Sequence, residues 1–482
     1  MKRFLITALL VLFATAAYAE VTFDLSGDFH ARGTYTRIQN DVANDLAPGP
    51  MLTATGTTLS DDFDKVSYSY YDGDINLYPK IIVDNTTLTM KLAIRDETWE
   101  DPEGDRWNQQ DDNIKIERAF MTHKFDNGFT LDAGLMDGQV WGTVFGDYLQ
   151  PRYRVKVTKK TSVGVFVALV EKMAEEGDPT VIDSEKDDWD DYAVGMVTKA
   201  GNIWVKPLIY YIHKSDALVA NPAGGSIYGK DILNATHGGV NMLYLSLELS
   251  GDLGGGLGFE SEFNYKPIEY KDMRNLGYIT TALYNATDTV VYGGYLNVWK
   301  TLDAGKFGAL ATYGSWDPDG GTTGTGVGLD TRDDFCANMI LGDWYAFGGA
   351  GAEDLLGMTF LKLYASDVNT GVDKLTFSGS FGYIISNQRD SDIVLYNADG
   401  SLVNGLEYPV YNQFKGATAM EIDLGLNYAI TDNLAYSINA GYAQINYDYD
   451  NDNEVETDET QIETWDDPDD IIMIQHRIKF TF

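Results

Sequence analysis

Cysteine is nearly absent from this chain of 482 residues, in which Cys336 is the single thiol. One cysteine cannot form an internal disulfide and cannot supply a cysteine-based zinc site. Long hydrophobic runs are also missing after residue 20, so no segment is apolar enough for a transmembrane helix. If the chain lies in a membrane, it must therefore cross as a closed barrel, because only helices and closed barrels satisfy their backbone groups in lipid.

Positive charge is scarce as well. The chain has 35 lysines and arginines against 73 aspartates and glutamates, for a net charge of −38. Such a chain repels nucleic acid, which excludes that class of partner. Tyrosine and glycine are abundant instead, with 31 and 49 copies, as is typical of membrane barrels with a polar lumen and aromatic belts.

Catalytic motifs are absent too. Neither Gly-x-Ser-x-Gly nor His-Glu-x-x-His occurs. The five histidines are scattered along the chain, at His30, His123, His213, His237 and His476. Because no nucleophile and base are grouped together, we expect no enzymatic activity.

The N-terminus predicts export. Lys2 and Arg3 precede an apolar run over residues 4–17, which is followed by Ala17-Tyr18-Ala19. This is the pattern of a secretory signal peptide, here residues 1–19, with cleavage before Glu20. No domain boundary is apparent afterwards, so we interpret residues 20–482 as one domain.

Residues 471–482 alternate strictly between apolar and polar side chains. One face carries Ile472, Ile474, Ile478, Phe480 and Phe482, and the other carries Gln475, Arg477, Lys479 and Thr481. Period-two alternation over this length is typical of a strand that crosses a bilayer. The same alternation recurs along the chain, but alone it does not distinguish a membrane barrel from a soluble sandwich.

The spacing of turns favours the barrel. Eight short turns, most of them rich in Gly, Asn or Asp, alternate with nine long connections near 40–62, 100–112, 141–150, 173–190, 214–237, 267–289, 316–355, 388–416 and 447–470. This rhythm predicts an all-β, antiparallel transmembrane barrel of about 18 strands, with 16 as the alternative. Closure requires the first and last strands to pair.

Residues 117–134 read Glu-Arg-Ala-Phe-Met-Thr-His-Lys-Phe-Asp-Asn-Gly-Phe-Thr-Leu-Asp-Ala-Gly. This segment resembles the hairpin of the fourth and fifth strands of Gram-negative outer-membrane porins, with an Arg-Ala-aromatic start, a glycine turn and a Leu-x-x-Gly strand. The final strand resembles the C-terminal strand of such barrels, which makes Phe480 and Phe482 the expected signal for the barrel-assembly machinery.

The resemblance implies a homotrimer in outer-membrane lipid and lipopolysaccharide that passes small hydrophilic solutes and ions by diffusion. It also implies a third loop that folds inward. Here the third connection, 141–150, is short, so we expect the 316–351 connection or inward side chains to narrow the pore instead. Two alternatives remain open: a substrate-specific channel for anionic solutes or polysaccharide, and a secreted soluble all-β binding protein or hydrolase.

Charged residues at alternating positions are candidates for the pore lining. The predicted basic wall is Lys91, Arg95, Arg152, Arg154 and Lys156, and the predicted acidic wall is Glu260, Glu262, Glu421 and Asp423. Facing walls of opposite charge resemble the transverse field of porin constrictions. The alternative is that these charges pair with neighbours on adjacent strands, where each solvated pair contributes little.

One acidic loop matches a calcium-binding pattern. Asp448, Asp450, Asp452 and Glu459 occupy positions 1, 3, 5 and 12 of an EF-hand-type loop. Asn453 stands where that loop has glycine, and the flanking elements are strands rather than helices. We therefore weigh a Ca²⁺ site against a chance match in a loop rich in Asp and Asn.

Overall fold

The structure is a computed structural model. It describes residues 21–39, 65–98, 114–138, 140–146, 150–175, 188–214, 236–275, 288–317, 327–329, 335, 338–341, 357–389, 391–396, 402–410, 415–446 and 470–482. The predicted signal peptide and the four predicted calcium ligands, Asp448, Asp450, Asp452 and Glu459, lie outside the described residues.

Eighteen strands form one antiparallel sheet. The first nine are β1 (Val21–Gln39), β2 (Lys65–Val83), β3 (Thr86–Thr98), β4 (Ile114–Lys124), β5 (Phe129–Gly138), β6 (Gln150–Lys160), β7 (Val165–Glu175), β8 (Asp188–Ala200) and β9 (Ile203–Lys214). The next four are β10 (Thr236–Gly254), β11 (Leu257–Asn275), β12 (Thr289–Leu302) and β13 (Gly305–Gly314). The last five are β16 (Met358–Asn369), β17 (Leu375–Ser386), β20 (Thr418–Ala429), β21 (Leu434–Asn446) and β22 (Asp470–Thr481).

Two small hairpins stand apart from the large sheet. They are β14 (Trp316–Asp317) with β15 (Val327–Gly328), and β18 (Ser391–Tyr396) with β19 (Leu402–Val410). Both lie in the long connections of the chain. They add no strand to the barrel.

The sheet closes on itself. Each of its strands pairs with the next in sequence, and β1 also pairs antiparallel with β22, which sets Ala31 opposite Ile478 and Arg32 opposite Arg477. Beyond the last strand, the backbone of Phe482 exchanges hydrogen bonds of 2.9 and 3.0 Å with Gly27. Closure removes both sheet edges, so the predicted barrel and its count of 18 strands are confirmed.

Turn chemistry sets the short ends of the hairpins. Asp84 joins β2 to β3 with φ of 51°, and Gly128 precedes β5 with φ of 80°. Positive φ is accessible to glycine and tolerated by aspartate. The chain can therefore reverse within two or three residues at these positions, as the sequence predicted.

The outer surface is apolar. In β6, Tyr153, Val155 and Val157 are 68, 50 and 39 % exposed, whereas the alternate residues Arg152 and Arg154 point into the lumen. The same order holds in β22, where Ile472, Ile474, Ile478 and Phe480 are exposed. A continuous apolar outer band is the surface that lipid covers. It excludes the soluble alternative, because a soluble protein does not expose so large an apolar area to water.

Within the described residues, no helix is long and apolar enough to span a membrane.

Candidate functional site: a narrowed lumen

The third long connection folds into the barrel. Its described residues 140–146, here called the first inward segment, place Trp141 against the wall, where the indole Nε1 donates a hydrogen bond of 3.2 Å to the Lys206 carbonyl. An added Cβ at Gly195 would lie 2.6 Å from this indole, so the glycine provides the space that the ring occupies. The expectation that this short connection would not narrow the pore was therefore wrong.

A buried glutamate on β11 holds the first inward segment. One Glu262 carboxylate oxygen accepts hydrogen bonds from the Thr143 backbone N–H at 2.6 Å and from its hydroxyl at 2.8 Å. The other oxygen accepts from Ser246 at 3.2 Å. Glu262 is only 3 % exposed. The sequence predicted it as acidic pore lining, but the structure places it beneath the segment, because the segment covers it.

A second inward segment consists of the described residues Phe335 and 338–341, from the connection after β13. Glu421 on β20 accepts hydrogen bonds of 2.7 Å from the backbone N–H groups of both Ile340 and Leu341. Its exposure is 0 %. The predicted pore-lining role of Glu421 thus gives way to that of an anchor.

Asp423 lies one step further along the same face of β20. It accepts hydrogen bonds from Ser380 at 3.0 Å and from the Met339 backbone at 3.4 Å. The expectation that the 316–351 connection narrows the pore agrees with this placement.

The two inward segments meet inside the barrel. The Phe145 ring lies 5.8 Å from Phe335 in perpendicular orientation and 5.8 Å from Tyr295 in a stacked one, measured between centroids. Phe335 also contacts Phe360 on β16. These rings belong to a buried core that also includes Val291, Leu329, Ile340, Leu341, Met358, Ile384, Ala417, Ala419, Ala443, Ile445, Ile471 and Met473. A hydrophobic core therefore fills the lumen beside β11–β22 and reaches β1 at Ile38.

The opposite side of the lumen is charged. We call it the charged wall, defined by Asp28, His30, Arg32, Asp72, Asp74, Lys91, Arg118, Asp132, Arg152, Arg154, Lys156, Glu171 and Asp191 on β1–β8. Its cations pair with carboxylates on neighbouring strands: Lys156 with Asp132 at 3.1 Å, and Lys91 with Glu117. This is the pairing alternative that the sequence left open.

The most buried part of the charged wall is a network on β6–β9. Arg152 lies 3.6 Å from both Glu171 and Asp191, and Arg154 pairs with Glu171. The Tyr210 hydroxyl donates to Asp191 at 2.5 Å. Two cations and two carboxylates thus compensate one another, which is required for charges so far from water.

The part of the charged wall on β1 and β2 was not predicted as a site, although the alternation of β1 places its polar residues on one face. His30 lies 2.5 Å from Asp74, and Arg32 lies 2.9 Å from Asp72. Tyr78 donates to Asp28 at 2.7 Å.

Two further residues predicted to line the pore, Arg95 and Glu260, belong neither to the charged wall nor to the anchors of the inward segments. Arg95 is in β3, but its side chain is outside the described atoms. Glu260 lies on β11, where its side chain faces the barrel lumen and accepts hydrogen bonds from Tyr295 at 2.6 Å and Asn297 at 3.0 Å. Neither structural observation tests a pore-lining role, so both remain predictions.

Phe480 and Phe482, the predicted assembly signal, lie on the lipid side of the seam. Their rings stack at 5.7 Å and both are partly exposed. Among the described residues, no group of three or more His, Cys, Asp or Glu side chains is arranged to hold a metal ion.

A closed antiparallel barrel with an apolar outer band is a transmembrane β-barrel of the outer-membrane type, because no other strand architecture satisfies its backbone in lipid. The barrel architecture expected from the resemblance to Gram-negative porins is thereby confirmed, and such a barrel belongs in the bacterial outer membrane.

Comparison with known proteins adds similar folds. No family model and no curated protein sequence matches the chain. Among solved structures, OprD of Pseudomonas aeruginosa is similar at 12 % identity and a TM-score of 0.45, with 97 % of each chain covered. OpdQ of the same organism is similar at 11 % identity and a TM-score of 0.47, with 95 % of this chain and 98 % of OpdQ covered. OmpT, an outer membrane protein of Vibrio cholerae in trimer form, is similar at 9 % identity and a TM-score of 0.39, with 96 % of this chain and 99 % of OmpT covered.

Proposed function

We propose that the protein is a passive outer-membrane channel for small hydrophilic solutes and ions, with a passage that follows the charged wall. The observation that carries this proposal is the contrast between the two sides of the lumen. The side chains of Arg32, Arg118 and Lys156 are 30–32 % exposed, whereas the core opposite is exposed by at most 6 %. Water and ions therefore have access to the charged side.

This passage favours small solutes over large ones, because the two inward segments occupy part of the bore. An anion-specific channel is less well supported. Arg152 and Arg154, which would bind an anion, are already compensated by Glu171 and Asp191. We also propose, from the resemblance alone, a homotrimer that contacts lipopolysaccharide and is inserted by the barrel-assembly machinery.

Ion selectivity follows from charge. The chain's net charge of −38 raises the cation concentration near the channel mouths. Exposed charges are screened within about 10 Å at 0.1 M salt. We therefore expect weak cation selectivity at low salt that fades as the salt concentration rises.

Planar-bilayer recording of the purified protein tests the proposal. The expected result is small, stepwise conductance without added substrate, and a reversal potential that favours cations. Lys156→Gln should shift this potential further toward cations, because it removes a positive charge from the passage. Val155→Ala, on the lipid side of the same strand, is the matched control and should leave the potential unchanged. Folded protein without conductance would overturn the proposal.

A further inference from the structure

Five neighbouring strands, β7–β11, carry a row of polar side chains on the outer face of the barrel. Each strand contributes one side chain, and each lies opposite the next in the register of the sheet. We call this set the outer polar row; its members are Lys172, Asp190, His213, Asn241 and Glu269. Neighbouring strands are about 4.8 Å apart, so the row is about 19 Å long.

The row lies at the border of the apolar outer band. Two positions closer to the short turns, the outer faces of β7, β8 and β9 carry Val170, Tyr192 and Tyr211, which are 49, 46 and 38 % exposed. Beyond the row, the strands join long connections, and long connections are extracellular in barrels of this type. Lipid that covers the apolar band therefore places its headgroups beside the row, in the outer leaflet.

Asn241 fixes the orientation of the groups at the centre of the row. Its Nδ2 donates a hydrogen bond of 3.0 Å to Glu269, and an ionised carboxylate can only accept. Its Oδ1 accepts hydrogen bonds from the Tyr211 hydroxyl at 3.2 Å and from His213 Nδ1 at 2.8 Å. A neutral imidazole that donates through Nδ1 presents an acceptor at Nε2.

This acceptor is accessible from the membrane side. His213 Nε2 has no hydrogen-bond partner within the described part of the chain, and it is not enclosed. The imidazole is held in place by Tyr211, on which it stacks with the ring planes 10° apart. Glu269 is exposed, and the paired side chains of Asp190 and Lys172 are 30 and 33 % exposed. The row thus offers acceptors along its length and one cation at its end.

Lipid headgroups differ in what they bring to such a row. A phosphocholine headgroup has no hydroxyl to donate. A phosphatidylglycerol headgroup has two hydroxyls on adjacent carbons, which reach only one part of a row of this length. A sugar headgroup spreads several hydroxyls over its rings, and each can donate to a carboxylate or an imidazole and accept from an ammonium group. A sugar headgroup therefore contacts several members of the row at once.

From these contacts we propose that the outer polar row binds the sugar hydroxyls of a glycolipid headgroup, that of lipopolysaccharide in the outer leaflet. The hydroxyls donate to His213 Nε2 and to the carboxylates of Asp190 and Glu269, and one accepts from Lys172. The proposal rests on the proposed contact with lipopolysaccharide and assigns that contact to the outer face of β7–β11. It does not depend on conduction through the lumen.

Fluorescence anisotropy of labelled rough-type lipopolysaccharide, titrated with the detergent-solubilised barrel, measures this binding. We expect saturable binding that unlabelled lipopolysaccharide displaces and phosphatidylglycerol does not. In the double variant His213→Phe, Glu269→Leu, the apparent affinity should fall about tenfold or more, because two hydrogen-bonding groups are lost. Phenylalanine keeps a ring that can stack on Tyr211.

His476→Phe is the matched control, because His476 also lies on the outer face, on β22, where it contacts the rings of Tyr71 and Tyr436. Its affinity should equal that of the wild type. If the double variant fails the heat-modifiability test of folding, Glu269→Leu alone replaces it, with an expected loss of about threefold or more.

Three results would overturn this proposal and leave the channel function standing. They are the absence of saturable binding, equal affinity in the wild type and the row variants, and displacement of the label by phosphatidylglycerol. Bilayer recording of the same preparations tests conduction separately. Absence of conductance overturns the channel function instead.

Discussion

Substitution of Glu421 by glutamine should loosen the second inward segment without removing it. The carboxylate accepts hydrogen bonds of 2.7 Å from the backbone N–H groups of Ile340 and Leu341, one at each oxygen. Glutamine has nearly the same shape but only one acceptor oxygen. Its NH₂ group would face the second N–H donor, so one of the two hydrogen bonds is lost.

The size of the effect follows from competing contributions. Leaving one of the two buried N–H donors without an acceptor costs about 1–3 kcal/mol, which corresponds to roughly 5–150-fold in an equilibrium constant. Ile340 and Leu341 are 0 and 1 % exposed, and burial of each side chain contributes about 1.5–3 kcal/mol. Apolar burial therefore keeps the segment docked in the variant, but the population of the undocked state rises by roughly 5–150-fold.

Single-channel recording measures this population directly. We expect Glu421→Gln to increase the fraction of time in a higher-conductance state by about 5–150-fold, with the main conductance level retained. Glu260→Gln is the matched control, because Glu260 contacts wall residues rather than an inward segment. An unchanged open fraction in folded Glu421→Gln channels would refute the anchoring role of this carboxylate.

Three further predictions concern the barrel itself. Ala31 and Ile478 lie opposite each other across the seam. In a chain whose native cysteine is replaced by serine, cysteines introduced at these two positions should form a disulfide on oxidation. The absence of a crosslinked band on gels would contradict closure at this register. Gly195→Ala should destabilise the barrel by about 1–3 kcal/mol, because the added methyl group overpacks against the Trp141 indole. Gly294→Ala is the control, since an added Cβ there would lie 3.6 Å from its nearest neighbour, and it should leave stability unchanged. Denaturant unfolding of both variants measures the difference. Deletion of Phe482 should lower the amount of heat-modifiable barrel in the outer membrane, because the backbone contacts that close the seam are lost, and an undiminished amount would show that the signal lies elsewhere.

The strands were predictable because their pattern is local. Alternation in β6 correctly separates Tyr153 and Val155 from Arg152 and Arg154, since neighbouring side chains of a strand point to opposite faces. Turn residues such as Asp84 and Gly128 mark reversals that depend on φ alone. Strand count and closure follow from adding these local signals together.

The inward segments were not predictable in the same way. Glu262 and Thr143 are 119 positions apart, and Glu421 and Ile340 are 81 apart. Alternation identifies both glutamates as lumen-facing, but it does not show which distant segment of the chain packs against them. The length of the third connection was also misleading, because five residues are enough to reach from Trp141 on one wall to Phe145 in the centre.

A blocking experiment on β6 tests most directly whether solutes pass along the charged wall. Lys156→Cys, in a chain whose native cysteine is replaced by serine, is treated in the bilayer with a bulky positively charged thiosulfonate. Val155→Cys, one residue away on the lipid side, is the matched control. We predict that labelling at position 156 reduces the single-channel conductance and that labelling at 155 does not. An unchanged conductance, with labelling at position 156 verified by mass, would contradict a passage along this wall.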